Sequence, residues 1–404
     1  MSKILIYAGS CAIKHYSFIA PMRIARACHR HGDEVRLINW ADDRVDGKDL
    51  VIGQQNLKWG MCWTLSLSHM LSTLIEQLET WKPDVIYSMG TTQIQALIRL
   101  SKRYEVPLGI HVGDPYYSAY PTQSTVNNYK LADFITFNEG QAWNYIRKTH
   151  PEIAEKCYLL NHAIDPELSP TWEEVQKVDK KYIVSCVGGD DRIRRKELVT
   201  YYYQWTTDFP DAKFATGGSL VKGVTAPYTE KDLNPKIKEA GRGWNHTTFT
   251  EEEVKKYEGK LFNVNWIPND LNYPLGLSHE AVHKLYSESY YAFTPYGHYI
   301  REGKQSGFNV MTFGTKIFEQ GGSGCAMISN RVKDIEQLII HGVTGFILDT
   351  PEDAKKAFQF AIDHPEKVRQ MGLNAYKFIH MFHSWDNRYK EVLLPIFQKL
   401  GIKK

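Results

Sequence analysis

GFNVMTFGTKIFEQGGSGCAMISN, from Gly307 to Asn330, is the stretch from which the fold can be worked out. A glycine-bearing loop runs into a short helix expected to begin near Thr315, a glycine-rich exit follows, and an apolar strand closes the stretch. The backbone N–H groups of Phe313, Gly314 and Thr315 belong to the loop and the first helical turn, where the helix offers them no acceptor. With the helix dipole they make a place for a phosphate. Lys316 on the same turn opposes that dipole and asks for an anion nearby, which a diphosphate supplies. Glu319, one turn further in, is placed to accept hydrogen bonds from a sugar's vicinal hydroxyls.

Alternating strands and helices surround this stretch on both sides. KILIYAG (Lys3 to Gly9), a helix over about 16–31 and EVRLI (Glu34 to Ile38) form a β-α-β opening, which implies a parallel sheet. DVIYS (Asp84 to Ser88), PLGIHV (Pro107 to Val112), FITF (Phe134 to Phe137) and CYLL (Cys157 to Leu160) repeat the pattern, giving a first domain over 1–165. NHAIDPELSPTWEEVQKVDKK (Asn161 to Lys181) has prolines, many charges and little periodicity, so 166–181 is expected to be a linker. A second series occupies 182–384: YIVSCVGG (Tyr182 to Gly189), a helix over about 195–209, KFAT, LFNVNW, YYAFTP, the opening stretch and GFILD (Gly345 to Asp349). The polar insertion at 217–260 receives no assignment. SWDNRYKEVLLPIFQKL (Ser384 to Leu400) has helical apolar spacing interrupted by Pro395.

Ligands of doubly wound sheets collect at the carboxyl ends of strands, where Gly9, Ser10, Met89, Gly90, His111 and Asp114 all fall. GSCAIK after the first strand lacks G-x-G-x-x-G spacing and is no dinucleotide fingerprint. GGDDRIRRKEL (Gly188 to Leu198) gathers Arg192, Arg194, Arg195 and Lys196 at a helix start, and guanidinium forks suit phosphate oxygens. Asp190 and Asp191 have no further ligands at coordination spacing and are assigned to the turn and cap, so no metal is expected. The histidine pairs of HRH (His29 to His31) and HMFH (His380 to His383) are expected at exposed helix ends.

With 404 residues, 43% hydrophobic and 24% charged, the chain can build two separate cores and is neither disordered nor fibrous. A net charge of +3 gives no sign of a polyanionic partner. The six cysteines are scattered without a C-x-x-C pair and are expected to be reduced core thiols. No apolar run is long enough to span a bilayer and the chain opens on a strand, so a cytoplasmic location is expected, that of the host if the source is viral.

At MTFGTKIFE, Met311 to Glu319, the chain resembles the retaining GT-B glycosyltransferases, the group with glycogen-synthase-like and sucrose-synthase-like members. Their signature runs roughly E-G-F-G-x-x-x-x-E and then A-x-A-S-G-x-P-V-I. Phe313 and Gly314 fall on its F-G, Glu319 on its second Glu, and GGSGCAMIS (Gly321 to Ser329) on the exit, while Met311 stands in place of the first Glu. NHAIDPEL is similar to the phrase ending the family's first domain, with His162 at a usual Gly. The resemblance implies an α/β fold of two Rossmann-like, doubly wound domains facing a cleft, with a terminal helix (about 385–404) returning to the first. It also implies sugar transfer with retention from a nucleotide-diphosphate sugar, UDP-linked, to an acceptor hydroxyl, without metal or other cofactor.

The family's Gly-Arg-x(4)-Lys phrase has Gly189 at its Arg position, so neutralising the diphosphate passes to Arg194, Arg195 and Lys196. His111, with Asp114 close behind, matches the position that reaches the donor sugar. Gly9, Ser10, Trp266, Ile267, Phe313, Gly314, Thr315, Lys316 and Glu319 make up the expected donor site. The acceptor stays open among glycans, small molecules and, as in certain bacteriophages, hydroxymethylated DNA bases. A non-catalytic sugar-nucleotide-binding protein and an epimerase are the competing readings.

Overall fold

A computed structural model describes residues 1–8, 16–40, 53–90, 93–113, 123–187, 204–217, 264–267, 278–293, 314–332 and 334–402. These form two compact units, one of 1–165 with 383–404 and one of 166–382. Each is organised around one sheet.

In the first unit, strands β1 (Lys3–Ala8), β2 (Glu34–Trp40), β3 (Gly53–Leu57), β4 (Gly60–Leu65), β5 (Val85–Met89), β6 (Leu108–Val112), β7 (Phe134–Phe137) and β8 (Cys157–Leu159) are ordered β3-β4-β2-β1-β5-β6-β7-β8. All neighbours run parallel except the β3–β4 hairpin. Near-continuous apolar runs such as ILIYA in β1 and FITF in β7 suit strands covered on both faces. The chain winds outward from β1 on one side and from β5 on the other, so the order reverses between them. That reversal marks the crevice where ligands of such sheets sit. Sequence periodicity left β3 and β4 unassigned, because their turn, Lys58–Trp59, carries none of the usual hairpin residues.

The terminal helix packs on this unit. Trp385, Tyr389, Leu393, Ile396 and Phe397 are buried in one cluster with Ile4, Ile6 and Phe134. Each such side chain contributes roughly 1.5–3 kcal/mol. Pro395, flagged in the sequence as an interruption, follows a π turn at Tyr389–Leu393 and lies in the first turn of the helix Leu394–Lys399, where its missing N–H does least harm.

In the second unit, β9 (Tyr182–Val187), β10 (Phe214–Gly217), β11 (Val264–Ile267), β12 (Ser289–Phe293), β13 (Ala326–Asn330) and β14 (Gly345–Leu348) are ordered β11-β10-β9-β12-β13-β14, all parallel. Its order reverses between β9 and β12. Trp205 anchors the core edge-on to Phe293 and Phe358, with ring centroids 5.4 and 4.8 Å away.

The segment expected to be a linker is folded within this unit. Residues Trp172–Lys177 form a helix with a capping box between Thr171 and Glu174, and Val175 is buried. Of the six cysteines, Cys28, Cys62, Cys157, Cys186 and Cys325 are buried free thiols, and Cys11 lies outside the described residues. Among the described residues no helix is long and apolar enough to cross a membrane.

Candidate active site

The helix Thr315–Gly322 follows β12 in sequence and leads into β13, which runs parallel to β12, so the helix starts on the carboxyl side of the sheet. The chain leaving β9 toward 188–196 starts from the strand beside β12. The end of β9 and the helix after β12 therefore belong to the pair of strands between which the order reverses.

Gly314 is the N-cap residue. Thr315 and Glu319 are buried, Glu319 at 1% exposure, while Gly314 and Lys316 are half-buried. A surface carboxylate on this helix is therefore excluded. Phe313 and the basic cluster Arg194, Arg195 and Lys196 lie outside the described residues. Trp266 and Ile267 are the last two residues of β11, the edge strand, rather than residues following it.

The glycine-rich exit is a Schellman turn. Cys325 N–H donates to Gln320 C=O and Gly324 N–H to Gly321 C=O, with Gly324 at φ +71°. Side chains satisfy the remaining carbonyls. Ser323 Oγ donates to Glu319 C=O at 2.6 Å and in turn accepts from His283 Nδ1 at 2.7 Å. His380 Nε2 meets Gly322 C=O at 3.2 Å, and Lys180 Nζ donates to Gly324 C=O at 3.0 Å and to Ser287 C=O at 2.8 Å. Donors gathered at the carboxyl end of a helix favour its dipole, which points the positive end at the proposed phosphate position.

In the first unit, His111 lies on β6 near its carboxyl end and is 2% exposed. Its Nδ1 is 2.9 Å from Thr136 Oγ1, which is 2.6 Å from Tyr87 Oη. Burial, reinforced by His162 nearby, pushes the imidazole down to about 3, so it is neutral at physiological pH. Its Nε2 is buried and makes no hydrogen bond among the described residues. At the ends of the neighbouring strands, Asn138 Nδ2 donates to Gly113 C=O and also to His162 Nε2 at 2.9 Å. Gly113 C=O can only accept, so the amide nitrogen faces it and His162 Nε2 carries no proton. Gly9, Ser10 and Asp114 lie outside the described residues; Gly9 and Ser10 directly follow β1, and Asp114 comes shortly after β6.

Sequence reasoning missed Tyr87, Thr136, Asn138, Lys180 and His283. A Thr inside FITF, two residues before an Asn at a strand end, was the available signal for Thr136 and Asn138. The expectation of exposed histidines is corrected at three positions. His31 stacks on Tyr389 at 4.6 Å, His380 on Tyr376 at 4.0 Å, and His383 lies 2.9 Å from Arg388 Nη2. Each packs against a partner brought from elsewhere on its own or a neighbouring helix, which helix-end position alone does not reveal.

The glycosyl transferase-like family matches residues 231–393, a span that takes in Gly314 to Glu319. Among solved structures, HepE of Anabaena in complex with UDP superposes with a TM-score of 0.63 at 13% identity, covering 98% of this chain and 100% of its own. Sucrose-phosphate synthase of Thermosynechococcus elongatus gives a TM-score of 0.62 at 12% identity and 99% coverage of both chains. An alpha-glucosyltransferase bound to UDP and a 13-mer DNA with a central A:G mismatch gives 0.63 at 11% identity, covering 98% of this chain and 100% of its own. No curated protein matches the sequence. The chain has the GT-B fold of these glycosyltransferases. The region matched by the glycosyl transferase-like family contains the helix Thr315–Gly322.

Proposed function

We propose that the protein moves a sugar from a UDP-sugar to an acceptor hydroxyl. The observation that carries this is the helix Thr315–Gly322, which begins where the strand order reverses, holds a buried Glu319 and is tied down by donors at its far end. HepE was captured with UDP, with UDP and glucose, and with UDP-glucose, which supports a UDP-linked donor here. In this reading the amides around Gly314 and Thr315, with Lys316, face the diphosphate, and Glu319 takes the ribose hydroxyls. Arg194, Arg195 and Lys196 neutralise charge on the leaving diphosphate, which lowers the barrier without requiring a metal. His111 holds an oxygen of the donor sugar, and the acceptor attacks from the leaving-group face with retention. The acceptor is a glycan or small molecule held by the first unit.

A thermal-shift panel of UDP-sugars tests the donor. Saturation at about 100 Kd should stabilise the wild type by about 2.7 kcal/mol, and Glu319→Ala should lose the shift. An undiminished shift in that variant removes Glu319 from the site.

A second reading has one observation in its favour, the alpha-glucosyltransferase captured with UDP and DNA. Under it the acceptor is a hydroxymethylated base in DNA. Binding to such a duplex would then weaken steeply with salt, whereas the near-neutral net charge of +3 favours the first reading.

A further inference from the structure

We propose that Tyr87 and Thr136 form a hydroxyl relay that fixes His111 as the neutral Nε2–H tautomer, making it a hydrogen-bond donor to an oxygen of a bound ligand rather than an acid or a base. The inference rests on the reading of His111 as part of the donor site only for the identity of that ligand.

The relay follows from counting protons. Tyr87, Thr136 and His111 are at most 2% exposed, so every polar atom among them needs a partner. Among the described residues the two hydroxyls and Nδ1 find partners only in one another, at 2.6 Å (Tyr87 to Thr136), 2.9 Å (Thr136 to His111) and 3.4 Å (Tyr87 to His111). Were Nδ1 protonated, three protons would compete for two oxygens and one hydroxyl would point at nothing. With Nδ1 bare, Tyr87 O–H donates to Thr136 Oγ1 and Thr136 O–H donates to Nδ1, and all three atoms are satisfied. The ring's remaining proton is then on Nε2, which has no partner among the described residues.

The sheet builds this arrangement deliberately. His111 is paired in register with Thr136, and Tyr87 with Gly109. A Cβ at Gly109 would fall 2.0 Å from Phe134 Cζ, so only glycine there lets Phe134 of β7 lie across β6, where its ring centroid comes within 5.5 Å of that of Tyr87 on β5. Nε2 faces the carboxyl end, since a methyl at Gly113 would stand 3.7 Å from it. A buried N–H with no acceptor is destabilising, and an incoming oxygen relieves that cost.

The test is ¹⁵N NMR of histidine-labelled protein without ligand, with His111 assigned by its loss in His111→Gln. The expected spectrum shows a protonated Nε2 and a bare Nδ1 at neutral pH. In the isosteric pair Tyr87→Phe/Thr136→Val, proton occupancy should shift toward Nδ1, and the KM for UDP-glucose should rise about tenfold. Thr136→Ser should restore the wild-type tautomer and a KM within about twofold, since it returns the same hydroxyl. Nδ1–H in the wild type, or an unchanged tautomer in the double variant, overturns the relay. The expected tautomers with an unchanged KM support the relay and overturn the donor-site role of His111. If the double variant does not fold, the wild-type spectrum still decides.

Discussion

Single side chains decide what this site can do, and His111 shows how far one can be taken. Its place at a strand end was legible in GIHVGD, but its neutrality and orientation were not. These depend on burial and on a hydroxyl from β7 that looks, in FITF, like part of an apolar strand. Gly113 offers a test at the same scale. A Cβ there would lie 3.6 Å from His111 Cδ2 and 3.7 Å from Nε2, both ordinary contacts. Gly113→Ala should therefore leave stability within about 0.5 kcal/mol. The methyl would stand in the space from which an oxygen reaches Nε2, so the KM for the donor should rise about tenfold, the equivalent of one hydrogen bond. Paired melting and kinetic measurements check this; a normal KM would place the ligand oxygen elsewhere.

At the scale of elements, the helix Thr315–Gly322 is held from behind more firmly than the sequence suggests. GGSGC announced a glycine-rich stop, and the Schellman turn with Gly324 in the left-handed region fulfils it. Lys180 was hidden because it lies in a segment whose prolines and charges resembled a linker. T-x-x-E at Thr171–Glu174 was the overlooked sign of a helix there. Burial pushes the Lys180 ammonium down to about 8, although it donates to the carbonyls of Ser287 and Gly324. Between about pH 8 and the ordinary value of 10.5, the unfolded chain keeps a proton that the folded chain has released. Stability contributed by this group therefore rises with pH across that window. Lys180→Met should flatten the rise, seen as a smaller pH slope in urea midpoints than the wild type shows. Identical slopes would mean that the ammonium is solvated in the folded state.

Across the whole molecule, the recurrence of β-α-β units was enough to announce two doubly wound sheets, because strand length, apolar runs and glycine ends repeat at each step. The return of the chain to its first unit is less legible, since it depends on charges separated by hundreds of residues. Arg30 joins three of these segments. Its Nη1 lies 3.0 Å from Asp165, which is fully buried, while Nε and Nη2 grip both oxygens of Asp386 at 3.0 and 2.8 Å. Arg26, 3.7 Å from Asp165, and His31, 3.1 Å from Asp386, are weaker seconds. Arg30→Ala takes from a buried carboxylate its closer guanidinium, with Arg26 still 3.7 Å away, and frees the start of the terminal helix. The loss should be about 3 kcal/mol, at the low end for a broken buried pair because Arg26 remains. Arg30→Lys should recover little of it, since a point charge cannot replace a fork shared by two carboxylates. Urea unfolding measures the loss, and hydrogen exchange locates it: amides of 385–399 should lose protection before those of β1. Protection falling equally everywhere, or a loss below about 0.5 kcal/mol, the range of ordinary surface changes, would show that apolar packing of Trp385, Leu393 and Phe397 holds this helix without the arginine.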